Sequence, residues 1–374
     1  MATYPQARLS QRDPAENIKF KRRYSAENDF GRDADSTTGH EIPLVHRLPV
    51  DNVNYFPHLP PYTDPNMGVL SKLPPSWVPY AQLMRLDRPA GFYAFYLPYV
   101  IGILYAACIS PQTPSPPKLL SLAAIMIPYN LLLRGAACAW NDNVDQEFDR
   151  QVVRCRHRPV ARGAVTTVQT HVFTVALILA GYPIIACLPA PCMPQMLIII
   201  VLFSIYAIMK RVTYYPQVVL GFPFAWAIFF CIAALGMEPF GQYRLPSTFA
   251  LFAANCLWTV TYDTIYAHQD IGDDEKAGVK GMAVKFKSTT KLLTSVLVSC
   301  QVALLTLCGW WAGFDGVYYI GTVGGVTIAM AYFIYSVDLS SPESCGYWFC
   351  NQFWTVGAGF VAGLGAEYCV KVSA

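Results

Sequence analysis

The chain has 374 residues, 54% of them hydrophobic and only 14% charged, a balance that excludes an ordinary soluble domain because so much apolar surface must face lipid. With 27 Lys and Arg against 24 Asp and Glu, the charge gives no reason to expect a nucleic-acid partner. The 12 cysteines are scattered, several inside apolar runs as at Cys231, Cys256, Cys300 and Cys308, so neither a disulfide framework nor a zinc or iron–sulfur site is supported.

In chain order, residues 1–77 are polar and rich in Pro and acids, with no apolar stretch long enough for a signal sequence, and are expected to form a disordered cytosolic tail. Asp13, Glu16, Glu27, Asp29, Asp33 and Asp35 interleave with its basic residues, which argues against a mitochondrial import sequence. The rest, 78–374, is expected to be an all-α integral membrane domain. Apolar runs of roughly 18 to 23 residues, each able to cross a hydrocarbon layer of about 30 Å, start near Ala90, Leu119, Val168, Cys192, Val218, Ser247, Leu292, Gly316 and Gly346. That makes about nine transmembrane helices, since continuous runs rather than ten-residue alternation select helices over a barrel. The loops after the second, fourth and sixth runs carry the positive charge, as Arg150 to Arg162, Lys210-Arg211 and Lys276 to Lys287. The positive-inside rule therefore puts them and the tail in the cytosol, with an endoplasmic reticulum or other secretory-pathway membrane favoured over the mitochondrial inner membrane. Oligomeric state is not legible.

The second run leads into Asn141-Asp142-Asn-Val-Asp145-Gln-Glu-Phe-Asp149. On a continuing helix Asn141, Asp145 and Asp149 would share one face with Asp142 beside them, an oxygen-donor set of the kind Mg²⁺ takes together with water and phosphate oxygens. A solvated, ion-paired helix end is the plainer alternative, given Arg150 and Arg154 nearby. The sixth run ends in a second acidic stretch with Asp263, Asp270 and Asp274 at one-face helical spacing. Both clusters terminate even-numbered helices and so belong to one membrane face. Massed carboxylates repel, so a bound cation is expected between them, and the pair makes a diphosphate clamp. Arg134, within an apolar run, should face a polar cavity or pair with a neighbouring helix. Arg158, Lys210 and Arg211 are either diphosphate ligands or topology-setting charges.

These residues resemble a known family. NDNVDQEFD at 141–149 looks like the NDxxDxxxD motif of the UbiA superfamily of intramembrane prenyltransferases, and YDTIYAHQDIGDDEKAGVK at 262–280 resembles its second Asp-rich motif. RLDRPAG at 85–91 and YAIMKRVTYYPQVVLG at 206–221 resemble two further motifs, in order, over about residues 78–368. The resemblance implies a helical membrane fold around a central cavity capped by cytosolic Asp-motif loops. By position, Asn141, Asp142, Asp145, Asp149, Asp270 and Asp274 would bind Mg²⁺ and diphosphate, supported by Asp263. Arg134, Arg158, Lys210, Arg211 and Lys280 would hold phosphates. Gly281 stands where Ser is usual and Arg88 where Lys is frequent.

The motif style is similar to fungal enzymes that farnesylate aromatic polyketides. The expected function is therefore Mg²⁺-dependent transfer of a farnesyl group from its diphosphate to a ring carbon of a phenolic polyketide acid. Asp263 is the candidate proton acceptor, Asp145, Asp270 and Arg134 assist ionisation, and Arg85 and Arg88 receive the acid group at the cytosolic mouth. Tyr206, Tyr262, Phe222 and Trp226 are candidate aromatic walls for an allylic cation. The alternatives are a 4-hydroxybenzoate polyprenyltransferase of ubiquinone synthesis, an intramembrane terpene cyclase and, from another class, a divalent-cation transporter, which would place its carboxylates near mid-membrane.

Overall fold

The protein is described by a computed structural model, covering residues 61–373 together with Leu59. The tail before residue 61 lies outside the described residues. The stretch from 61 to 77, grouped with that tail by composition, includes a 3₁₀ turn at Leu70–Lys72 whose Leu70 is buried. A short helix, Val78–Leu83, then leads to the long helices.

Nine of these follow among the described residues, and no strand: α1 Ala90–Ile109, α2 Pro116–Val144, α3 Thr167–Ala186, α4 Cys192–Val212, α5 Pro216–Ala234, α6 Leu245–Ala267, α7 Thr290–Ala312, α8 Gly316–Ser336 and α9 Pro342–Ser373. Their ends follow local chemistry. Proline stands in the first turn of α2, α5 and α6, where an N–H would lack a partner anyway. Thr166 and Gln169 form a reciprocal capping box ahead of α3. Gly313 ends α7 in the left-handed conformation, at φ 71°. Within α5 the helix breaks at Trp226, three residues after Pro223, and the indole Nε1 donates to Gln195 Oε1 of α4 at 2.8 Å.

Eight of the nine are long and apolar enough to cross a membrane, and α6 is not. The reason is its position. It packs along α7, α5 and α9 and buries Ser247, Thr248, Asn255, Thr259, Thr261 and Thr264 against protein, so lipid sets no demand on its composition. By contrast α3 exposes Val168, Val172, Val175 and Leu179, and α4 exposes Leu197, Val201, Ile205 and Ile208. Each set recurs at helical spacing, an apolar stripe that belongs in lipid.

Neighbours in sequence are mostly neighbours in space, and α9 returns to pack on α1, closing a ring in which α3 leans mainly on α2. Two joints are unusually close. Gly102 of α1 faces Cys231 and the Ala227 carbonyl of α5, and Gly321 and Gly325 of α8 meet Gly359 and Gly363 of α9. The second is a double small-xxx-small crossing, where a Cβ on Gly363 would lie 2.1 Å from the Thr322 nitrogen. A π-helical turn at Tyr319–Gly324 adjoins it.

The loops after α2, α4 and α6 meet at one end of the bundle: Val153 N donates to Asp273 at 3.0 Å, and Lys280 N donates to the Lys210 carbonyl at 3.0 Å. These are the basic loops, the ones that the positive-inside rule assigns to the cytosol. A cysteine introduced at Gln151, which is exposed, is expected to react with an impermeant thiol reagent only from the cytosolic side of sealed microsomes. Reaction only from the lumen would invert the topology.

Candidate functional site

The first acidic cluster forms where α2 ends. The sequence expectation of one continuous helix through Asp149 is corrected: the backbone turns out of helical geometry at Asp145 (φ −87°, ψ 4°), and a separate short turn covers Gln146–Asp149. The Asp145 and Asp149 amides still reach back four residues, at 2.8 Å each, so the cluster stays together. Asp142, Asp145 and Asp149 are all buried.

Each of these carboxylates has a cation from elsewhere in the chain. Asp142 accepts from Arg85 at 2.5 Å and Arg158 at 3.3 Å, Asp149 from Arg158 at 2.8 Å, and Asp145 from Lys210 at 2.7 Å and Arg211 at 3.1 Å. Arg85 reaches Asp142 from a left-handed backbone, φ 57°, the conformation that closes the short helix Val78–Leu83 through the Arg85 and Leu86 amides. Arginine and lysine thus supply much of the positive charge that offsets the repulsion between these carboxylates.

The second cluster is also broken. After α6 ends at Ala267 come a 3₁₀ turn, His268–Asp270, and a short helix, Ile271–Ala277, so Asp263, Asp270 and Asp274 do not ride one helix. Asp270 pairs with Arg154, whose Nη1 also donates to the Tyr266 hydroxyl at 3.1 Å. Arg154 lies in the loop after α2, so the pair ties that loop to the turn after α6. Sequence reasoning gave it no site role, because nothing in its spacing distinguishes it from Arg150 or Arg156.

Some oxygens stay free. Asn141 Oδ1 and Asp142 Oδ2 are buried with no hydrogen-bond partner, and the side chains of Asp263 and Asp274 make no hydrogen bond or ion pair among the described residues. Burial pushes the Asp149 carboxyl up to about 6 against the pull of Arg158, and burial with the charges of Asp270 and Asp273 pushes Asp274 up to about 7. A cation beside them would favour the ionised carboxylates. Among the described residues no three His, Cys, Asp or Glu side chains converge into an all-protein metal cage. Mg²⁺ needs no such cage, since it takes one or two carboxylates plus phosphate and water oxygens.

Other expected residues stand further off. Arg134 is buried and donates to the Arg88 carbonyl at 2.5 Å, against Gly91, so it ties α2 to the start of α1. Arg88 itself pairs with Asp87 at 3.6 Å. The Lys280 ammonium is 3.5 Å from the Val212 carbonyl, at the end of α4. Of the aromatic candidates, Tyr262 is buried and Phe222 points outward. A cavity of about 200 Å³ lies between α2, α3 and α4, lined among others by Leu133, Trp140, His171 and Ser204, on the side of α2 opposite Asp142.

The profile of the UbiA prenyltransferase family matches residues 96–357. The chain belongs to that family. It is 44% identical over 270 residues to "Prenytransferase ascA" of Acremonium egyptiacum, covering 72% of this chain and 80% of the relative. To "DMOA farnesyltransferase nvfB" of Aspergillus novofumigatus it is 36% identical, covering 81% and 95%. To the mitochondrial 4-hydroxybenzoate polyprenyltransferase of Saccharomyces cerevisiae it is 35% identical, covering 81% and 80%. In fold it is similar to a UbiA homologue from Archaeoglobus fulgidus bound to GPP and Mg²⁺, at TM-score 0.58 and 16% identity, covering 78% of this chain and 99% of that one. The chain is accordingly a multi-pass membrane prenyltransferase.

Proposed function

We propose that this UbiA-family enzyme transfers a farnesyl group from its diphosphate to a ring carbon of a phenolic polyketide acid. The observation that supports the reading is the meeting of the loops that carry the two acidic clusters, joined by Arg154 and Asp270 at one end of the bundle, with Asn141, Asp142, Asp263 and Asp274 keeping free oxygens. The name of the nvfB relative supports a farnesyl donor. Carboxylates at helix ends rather than mid-helix tell against a cation pathway.

Mg²⁺ held by Asn141, Asp142 and Asp274 would neutralise the leaving diphosphate. Arg158, Lys210 and Arg211 stand within reach of the same space and bind its oxygens, orienting the allylic C–O bond. That bond breaks with its electron pair leaving on the diphosphate. The ring carbon beside the phenol attacks the allylic carbon, and Asp263, the unengaged carboxylate on α6, accepts the ring proton. Burial of the site excludes the water that would otherwise capture the cation.

The yeast relative favours a second reading, a long-chain donor and 4-hydroxybenzoate. Microsomes from a host expressing the chain are expected to prenylate orsellinic-type acids with farnesyl diphosphate, and not 4-hydroxybenzoate. Efficient use of 4-hydroxybenzoate with a long polyprenyl donor would transfer the assignment to that second reading.

A further inference from the structure

Resting on the prenyl-transfer reading, we infer that Tyr62, ahead of the membrane bundle, is a positioning residue for the donor site: it fastens together the two arginines that hold Asp142. The Arg162 guanidinium lies 3.8 Å from the centre of the Tyr62 ring, a close cation–π contact. The Tyr62 hydroxyl accepts from Gln82 Nε2 at 3.1 Å, and Gln82 Oε1 accepts from Arg162 Nη2 at 2.9 Å. Tyrosine, glutamine and arginine thus close a three-sided network from three separate parts of the chain.

Each side of the network leads to the acidic cluster. On one side the Gln82 carbonyl accepts from the Arg85 amide at 3.0 Å and from its Nη1 at 3.3 Å, while Arg85 Nη2 holds Asp142. On the other, Arg162 Nη1 donates to the His157 carbonyl at 2.5 Å, and the His157 ring stands 5.9 Å from that of Tyr62. Its neighbour Arg158 grips Asp142 and Asp149. Both arms converge on Asp142, whose second oxygen is free. Arg85 is the left-handed residue that closes the short helix Val78–Leu83, its amide donating to the Gln82 carbonyl and the Leu86 amide to the Ala81 carbonyl at 3.1 Å, so a clamp on the Gln82 side chain fixes the turn from which Arg85 reaches Asp142. The loop from 150 to 166 has no regular helix of its own; Arg154 and Val153 anchor its first half to Asp270 and Asp273, and the Arg162 contacts add an anchor in its second half.

The test uses the full chain in detergent, with Tyr62→Ala, Tyr62→Phe, Arg162→Ala and the Tyr62→Ala/Arg162→Ala pair. Amides around 156–163 are expected to exchange with deuterium about tenfold faster in Tyr62→Ala than in the parent, with thermal stability of the bundle unchanged. The KM for the diphosphate donor is expected to rise about tenfold, with the acceptor KM unmoved. Tyr62→Phe, which keeps the ring, should fall between, and the double variant should be no worse than either single. Unchanged exchange overturns the clamp whether or not the chain transfers prenyl groups. Faster exchange with an unchanged donor KM overturns the positioning role. Absence of turnover in the parent with every allylic diphosphate instead sinks the prenyl-transfer reading, and with it the role for Tyr62, while exchange still decides whether the clamp exists.

Discussion

Asp145→Asn and Asp270→Asn are each expected to lower turnover by about a hundredfold or more, equivalent to about 2.7 kcal/mol of transition-state stabilisation. The amide keeps the shape of the carboxylate and removes its charge. Asp145 is 1% exposed and aligns both Lys210 and Arg211, so its loss would leave misaligned the two cations to which the proposed mechanism gives the departing diphosphate. Asp270 is the partner of Arg154, the residue that joins the loop after α2 to the turn after α6. Removing one partner of a buried ion pair also destabilises the fold, by about 3 kcal/mol in unfavourable cases, so rates must be normalised to folded enzyme in the membrane. Retention of more than about a tenth of the parent rate by either variant would remove these residues from the reaction. Chelation in the same assay should abolish transfer and Mg²⁺ should restore it; full activity in chelator would refute a metal-assisted leaving group.

Gly363→Leu is expected to cost about 3 kcal/mol or more and to deplete the folded protein from membranes. A single Cβ there would stand 2.1 Å from the Thr322 nitrogen and 2.7 Å from the Gly321 carbonyl carbon, contacts that only backbone movement can relieve. Since α9 also closes the ring against α1, the displacement would reach a second interface. Gly365→Leu is the control, because nothing lies within 4 Å of its Cβ position. Equal abundance and equal melting temperature for the two variants would show that α8 and α9 do not depend on this crossing.

The membrane helices were legible because lipid imposes a one-dimensional rule of long apolar runs, and all nine expected starts lie within about four residues of the observed ones. The exception in composition, α6, shows the limit of that rule: its threonines and Asn255 are tolerated by the helices that enclose it, which hydropathy cannot see. The acidic motifs were visible as local spacing. Their geometry was not, since the breaks at Asp145 and at His268–Asp270 turn side chains away from ideal helical positions. Partners distant in sequence stayed hidden as well. Arg154 and Asp270 are separated by 116 positions, and Tyr62 belongs to a stretch whose Pro- and Asp-rich composition gives no hint of the arginine stacked on it.

The ion pairs inside the acidic clusters bear on how a ligand would enter. Because Asp142, Asp145 and Asp149 already hold Arg85, Arg158, Lys210 and Arg211, the resting site is close to electrically settled, and a metal–diphosphate donor would arrive as an exchange of partners. Carboxylates would pass from guanidinium to Mg²⁺, and the released guanidinium and ammonium groups would pass to phosphate. An exchange of this kind leaves few bare charges at either end, and since each half of it takes up the partners that the other half releases, metal and diphosphate would be bound together.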